Sequence, residues 1–225
     1  MHLEFWYALL VFLHALLFVY WLGGDLGVFY ASRFRNNSAY DIKTRQVVGK
    51  ITADIDMAPR TTLVLMLPVG FSVAVASNRI AMDALWLIPL WVGSLAWLAL
   101  VWWLHIEKDT AKKQPWAKND LRLRLLLLAV LTVLGVYSLA TREPIADGWL
   151  AIKVLIFAAC IFCGYMIRVT GRPFFEATQR MNKEGPSPEL DAILRATASK
   201  PRLWVKFIWG FVALAAFIGL WKPIL

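Results

Sequence analysis

Charge is scarce in this chain. Asp, Glu, Lys and Arg make up 17% of its 225 residues, where a soluble domain carries about a quarter. With 60% of the residues hydrophobic, that scarcity excludes a disordered chain and an ordinary cytosolic enzyme. Cysteine is nearly missing, and two residues, Cys160 and Cys163, are too few for a disulfide framework. There is no Ser-His-Asp order, no P-loop and no G-x-G-x-x-G. No internal repeat stands out, so fibrous repeats are excluded. Strict apolar–polar alternation is also absent, which speaks against a membrane β-barrel. Histidine is sparse, three in all, so the placing of each one matters.

What the chain has is long apolar runs. A membrane-spanning helix needs about 20 mostly apolar residues. Six stretches meet or approach that length: Phe5–Gly23, Thr61–Ser77, Ala84–Ile106, Leu123–Ala140, Trp149–Ile167 and Leu203–Leu220. The expected fold is an all-α, polytopic helical bundle of six transmembrane helices, a single domain over residues 1–225. The first stretch lacks a basic n-region and a small-residue cleavage site, so it reads as a retained span. Arg122 and Arg124, at the start of the fourth, are expected to snorkel to the interface.

Basic residues set the expected topology. Of the 24 Lys and Arg, 20 fall in the segments 24–60, 107–124 and 168–206. Arg79, Arg142 and Lys222 lie on the opposite side, and Lys153 falls within a span. By the positive-inside rule the basic segments face the cytoplasm and both termini the outer, periplasmic side of a bacterial inner membrane. The net charge of +9 is thus a topology signal that could also attract anionic headgroups, and no nucleic-acid partner is implied. Within the loops, Ser38-Ala-Tyr-Asp41 resembles a capping box ahead of an amphipathic helix that Pro59 ends or kinks. Ser187-Pro188-Glu189 reads as an N-cap with Pro at the first helical position, opening a short helix to about Ser199.

Ionisable groups inside spans are expensive, about 2.5–3.5 kcal/mol on insertion scales, and usually have a role. His14 lies nine residues after Phe5, about 14 Å deep. Tyr7, Trp21 and Asp25 fall within about 20° of it around the helix, so Tyr7, His14, Trp21 and Asp25 share an inward face. His14 is either a neutral histidine bonded to a neighbouring helix or a ligand, and imidazole is the common axial ligand of haem iron. Lys153 sits about 6 Å below the outer boundary. It either snorkels upward or turns inward to an anionic group such as a porphyrin propionate. Cys160 and Gly164 share its face, and Gly164 suits close helix packing or a flat ligand alike. Cys160-Ile-Phe-Cys163 with Met166 offers either core filling or soft ligands for Cu(I). His105 reads as an interfacial residue of an aromatic belt.

Leu13–Gly24, with His14 and Trp21 seven residues apart and then Gly23-Gly24, resembles the first helix of the HemJ-type protoporphyrinogen oxidases. Asp25–Arg33 is similar in texture, and Asp56-Met57-Ala58-Pro59 looks like that family's Pro-containing approach to helix 2. Gly148-Trp149-Leu150-Ala151-Ile152-Lys153 looks like its G-W-L-H-I-K segment, with Ala151 in place of the histidine. Gly164 stands where that helix often carries another histidine. Trp221-Lys222-Pro223 matches the end of a later helix, and the third and fourth spans look like an insertion. The resemblance covers about half the chain, in short patches, and extends to the CopD-like copper-resistance proteins.

The resemblance implies a haem b protein. His14 would be the metal ligand, with Tyr7, Trp21, Lys153 and Gly164 around the porphyrin and Lys153 and Asp25 as catalytic groups. It would pass electrons from a reduced substrate, a porphyrin or quinone-like molecule, to quinone or a partner. The alternatives are a CopD-like copper transporter using Met66, Cys160, Cys163 and Met166, and a cofactor-free membrane subunit. No second mid-membrane histidine is present, so the iron would be five-coordinate, use Met66, or lie nearer His105. The expected surroundings are the lipid bilayer and, for a small membrane protein, a homodimer.

Overall fold

The computed structural model describes residues 2–224, with side chains from Glu4 to Ile224. The chain is all-α and has six helices long and apolar enough to cross a membrane. α1 (His2–Arg35) is followed by α2 (Ile42–Ile55) and α3 (Met57–Ala76). A short 3-10 turn (Ala84–Trp86) leads into α4 (Leu87–Ile106), then α5 (Thr110–Thr141) and α6 (Gly148–Thr170). α7 (Arg172–Glu184) and α8 (Pro188–Thr197) precede α9 (Ser199–Trp221). α1, α3, α4, α5, α6 and α9 are the crossing helices. Each packs on its neighbours to close a ring in the order α1, α3, α4, α5, α6, α9.

Six crossings put both chain ends on one face, called here the terminal face. It also carries the two short connections, which meet in a single bridge between Ile80 and Ile145. Arg79 pairs there with Asp147 at 2.6 Å. The opposite, basic face carries α2, α7 and α8.

The ends of the helices are set by local chemistry. Pro59 has no N–H to donate to Ile55, so the ladder breaks at Asp56 and divides α2 from α3. The cap of α2 is Asp41, which accepts from Thr44 N–H at 2.8 Å, so the expected box on Ser38 is displaced by three residues. Asp41 is short and ionised, and its hydrogen bonds to Thr44 hold its carboxyl below the usual range. Ser187 caps α8 as its sequence suggests, accepting from Leu190 N–H at 3.2 Å. Two helices outrun their apolar stretches. α1 continues twelve residues past Gly23, and α5 begins thirteen before Leu123.

Small residues set how closely the helices approach. A Cβ on Gly24 would stand 2.6 Å from Pro59 Cδ, and one on Gly135 would stand 2.6 Å from Leu155. These positions seat α1 on α3 and α5 on α6. The central core gathers Trp21, Leu67, Trp97, Val101, Leu131, Ile161 and Ile208 from all six crossing helices. Phe12, Val92, Leu126, Val133 and Phe217 point outward, where lipid would cover them.

At the basic end of this core Asp120 is 0% exposed. It accepts from Trp97 Nε1 at 2.8 Å, from Arg124 Nε at 3.1 Å and from Arg168. Arg124, expected to snorkel, is instead 3% exposed and lies against the Trp97 ring at 5.2 Å. A carboxylate one helical turn away holds it better than a climb to the interface would. This knot ties α4, α5 and α6. Asp120→Ala strands two guanidinium groups and should cost about 3–5 kcal/mol. Thermal unfolding in detergent checks this against Arg122→Ala on the exposed side, which should leave the midpoint within error.

Candidate functional site

The ring of helices opens toward the terminal face into a cavity of about 420 Å³, within the range of small-molecule sites. α1 contributes Tyr7, His14, Phe18 and Trp21; α3 contributes Met66, Gly70 and Phe71; α6 contributes Trp149, Lys153, Phe157 and Cys160. α9 and the segment after it add Gly219 and Lys222. The seven-residue spacing predicted one face for Tyr7, His14 and Trp21, and these three do line one wall. Tyr7 sits at the mouth and Trp21 at the floor, about 21 Å apart along α1. Trp21 is 4% exposed and meets Phe157 edge-on at 6.1 Å.

Among the described residues His14 has no hydrogen-bond partner, and its Nδ1 is fully buried. The imidazole lies against α3 where α3 has no side chain: a Cβ on Gly70 would stand 3.4 Å from Cε1 and 3.8 Å from Nδ1. That leaves Nε2 toward the open space. The imidazole thus packs on the backbone of α3 without a hydrogen bond to it among the described residues.

Lys153 approaches from the far wall. Its Nζ stands 5.9 Å from the centre of the Trp149 ring, and a Cβ on Gly219 would come within 2.6 Å of it. Among the described residues no carboxylate pairs with it, and its charge is felt at His14. Lys222 lies close enough to add its own charge, while Arg79 is already paired with Asp147. Among the described residues no Asp or Glu lines the cavity. An apolar, aromatic chamber with two ammonium groups that no described carboxylate pairs suits a largely apolar molecule that carries carboxylates.

Two expected site residues lie elsewhere. Gly164 does not line the cavity, and nothing comes within 4 Å of a Cβ built on it. It stands eleven residues beyond Lys153, about 16 Å further along α6 and below the floor formed by Trp21 and Cys160. Asp25 shares the α1 face but also lies beneath that floor, with Trp21 as its neighbour and one carboxylate oxygen, Oδ2, buried without a partner.

The soft ligands are likewise divided. Met66 and Cys160 line the cavity, whereas Cys163 and Met166 do not. His105 is at the basic face, 3.2 Å from Asp54. Among the described residues no cluster of three or more His, Cys, Asp or Glu is set to hold a metal ion. Gly70 and Gly219 escaped sequence reasoning, because a helical glycine shows its use only once the opposing side chain is known. Arg79 and Lys222 registered as charges or motif letters without a place.

No family model, curated protein or solved structure matches the chain.

An unpaired ammonium inside a fold opposes folding. Lys153→Met keeps the stem and removes the charge, so it should raise the stability of ligand-free protein by about 1–2 kcal/mol. Denaturation of the purified protein in detergent measures this. A lowered midpoint would show that the ammonium has a partner inside the bundle.

Proposed function

We propose that the protein is a haem b-binding oxidoreductase of the bacterial inner membrane, akin to the HemJ-type protoporphyrinogen oxidases. It would take electrons from a reduced porphyrin-like substrate and pass them to quinone or a partner. One observation carries this: among the described residues His14 has no partner and Lys153 no anion, and both face the same aromatic chamber, which no described Asp or Glu lines. A bare metal ion would need several protein ligands, and the chamber offers a lone imidazole with the thioether of Met66 and the thiol of Cys160. A metal that brings its own four nitrogens needs only an axial imidazole.

His14 would hold the iron through the nitrogen turned away from Gly70. Lys153 and Lys222 would meet the propionates, since an ammonium in a low-dielectric wall attracts a carboxylate strongly. Phe18, Phe71, Trp21 and Phe157 would cover the ring faces and exclude water. Haem, when bound, supplies a one-electron redox centre. Asp25 lies below the floor at Trp21, outside the chamber, so it would not touch the group, and any proton it took up would have to cross that floor.

Expression with added haem precursor, followed by an absorbance scan of the purified protein, tests the proposal. A Soret band is expected, abolished in His14→Ala and weakened through haem loss in Lys153→Met. No Soret band in the wild-type protein, or an unchanged one in His14→Ala, would overturn it.

A further inference from the structure

A second cavity of about 310 Å³ lies at the basic face, between the end of α1, α2 and α7. Arg35, Arg45 and Lys50 line it together with Gln46, Thr178 and Asn182, and no Asp or Glu does. A solvated basic loop, which topology alone would explain, forms no such concave pocket around a buried arginine.

Arg45 is only 2% exposed. Its Nε donates to the Arg35 carbonyl at 3.0 Å and its Nη2 to Asp191 at 2.8 Å. Among the described residues no partner takes its Nη1. Arg35 lies across α2 at Gly49, where a Cβ would stand 3.2 Å from its Cδ, and over the Phe174 ring at 5.3 Å. No carboxylate stands within ion-pair distance of Arg35 or Lys50 among the described residues. Asp191 offsets one of the three cations, which leaves two for a ligand.

We propose that this cavity binds a phosphate-ester group. Guanidinium forks and an ammonium are the donors that phosphate oxygens favour, and the amides of Gln46 and Asn182 can serve a polar remainder. The volume exceeds what a bare phosphate fills, so the ester's organic part belongs inside too. Two sources share this chemistry, a lipid headgroup and a soluble phosphorylated metabolite, and the position favours the second. Gly24 packs on Pro59, beside the Arg60–Asp56 pair, and partly exposed charges of that kind belong at or beyond a hydrocarbon edge. Arg35 lies eleven residues on, about 16 Å further along α1. The headgroup layer is only about 5–8 Å thick on each side. This site is independent of the haem chemistry above.

Titration calorimetry of the full-length protein in phosphatidylcholine nanodiscs, with glycerol phosphate at constant ionic strength, tests the site. Saturable heat is expected, with affinity about tenfold weaker in Arg35→Gln and in Lys50→Gln and unchanged in Arg33→Gln. Lys50 is exposed, so its variant folds whatever becomes of Arg35→Gln. A second titration uses discs containing phosphatidylglycerol. Unchanged heat there assigns the site to a soluble ester, and loss of the heat keeps the site but assigns it to a lipid headgroup. No saturable heat in phosphatidylcholine discs, or equal affinity in wild type and both variants, overturns the proposal.

Discussion

Hydrocarbon offers no hydrogen-bond partner, and that constraint governs this molecule. Backbone groups must satisfy one another within each crossing, so the chain has helices and nothing else to cross with. Side chains obey the same rule. A polar group in a span must turn into the bundle and then either find a partner there or border a space that something else can fill. Asp120 and Arg124 follow the first course. His14 and Lys153 follow the second.

The contrast is one of ends. Toward the basic face the helices are drawn together by Gly24 on Pro59 and by the Asp120 carboxylate, which gathers donors from α4, α5 and α6. Both oxygens of Asp120 are used there, whereas Asp25, higher in the same half, keeps Oδ2 without a partner among the described residues. Toward the terminal face α1 and α6 stand apart, and the polar atoms that border the gap are cationic or neutral. A protein built only for packing would place the apolar side chains of a core there. Cations at that depth oppose folding, and the paired charges of the knot beneath, which join α5 to α6, work in the other direction.

Much of this was legible in the letters. Apolar runs of span length and the lopsided placing of Lys and Arg suffice for six helices, because the bilayer punishes any other arrangement. A seven-residue step along α1 is enough to put Tyr7, His14 and Trp21 on one wall. What escaped was relational. Arg124 reads as an interfacial arginine until Asp120, one turn before it, is seen to be buried. Gly164 reads as a clearance for a flat ligand, yet the clearances that matter are Gly70 and Gly219, on helices whose pairing no periodicity reveals. Asp25 has the right angle around α1 and the wrong depth, because angle follows from spacing while the cavity floor depends on where Trp21 meets Phe157.

The two glycines explain how the site can be both apolar and chemically equipped. On α3, Gly70 receives the imidazole edge; on α9, Gly219 receives the lysine tip. Each polar head thus rests on bare backbone of the neighbouring helix, held in position without a side-chain partner that would quench it. His14 belongs to the α1–α3 pair and Lys153 to the α6–α9 pair, and α1 and α9 touch only lightly between them. A molecule that engaged both heads would join the two helix pairs across the gap. It would supply from outside the polar contacts that the bundle withholds from itself, so occupancy and the closure of the upper ring would be one event.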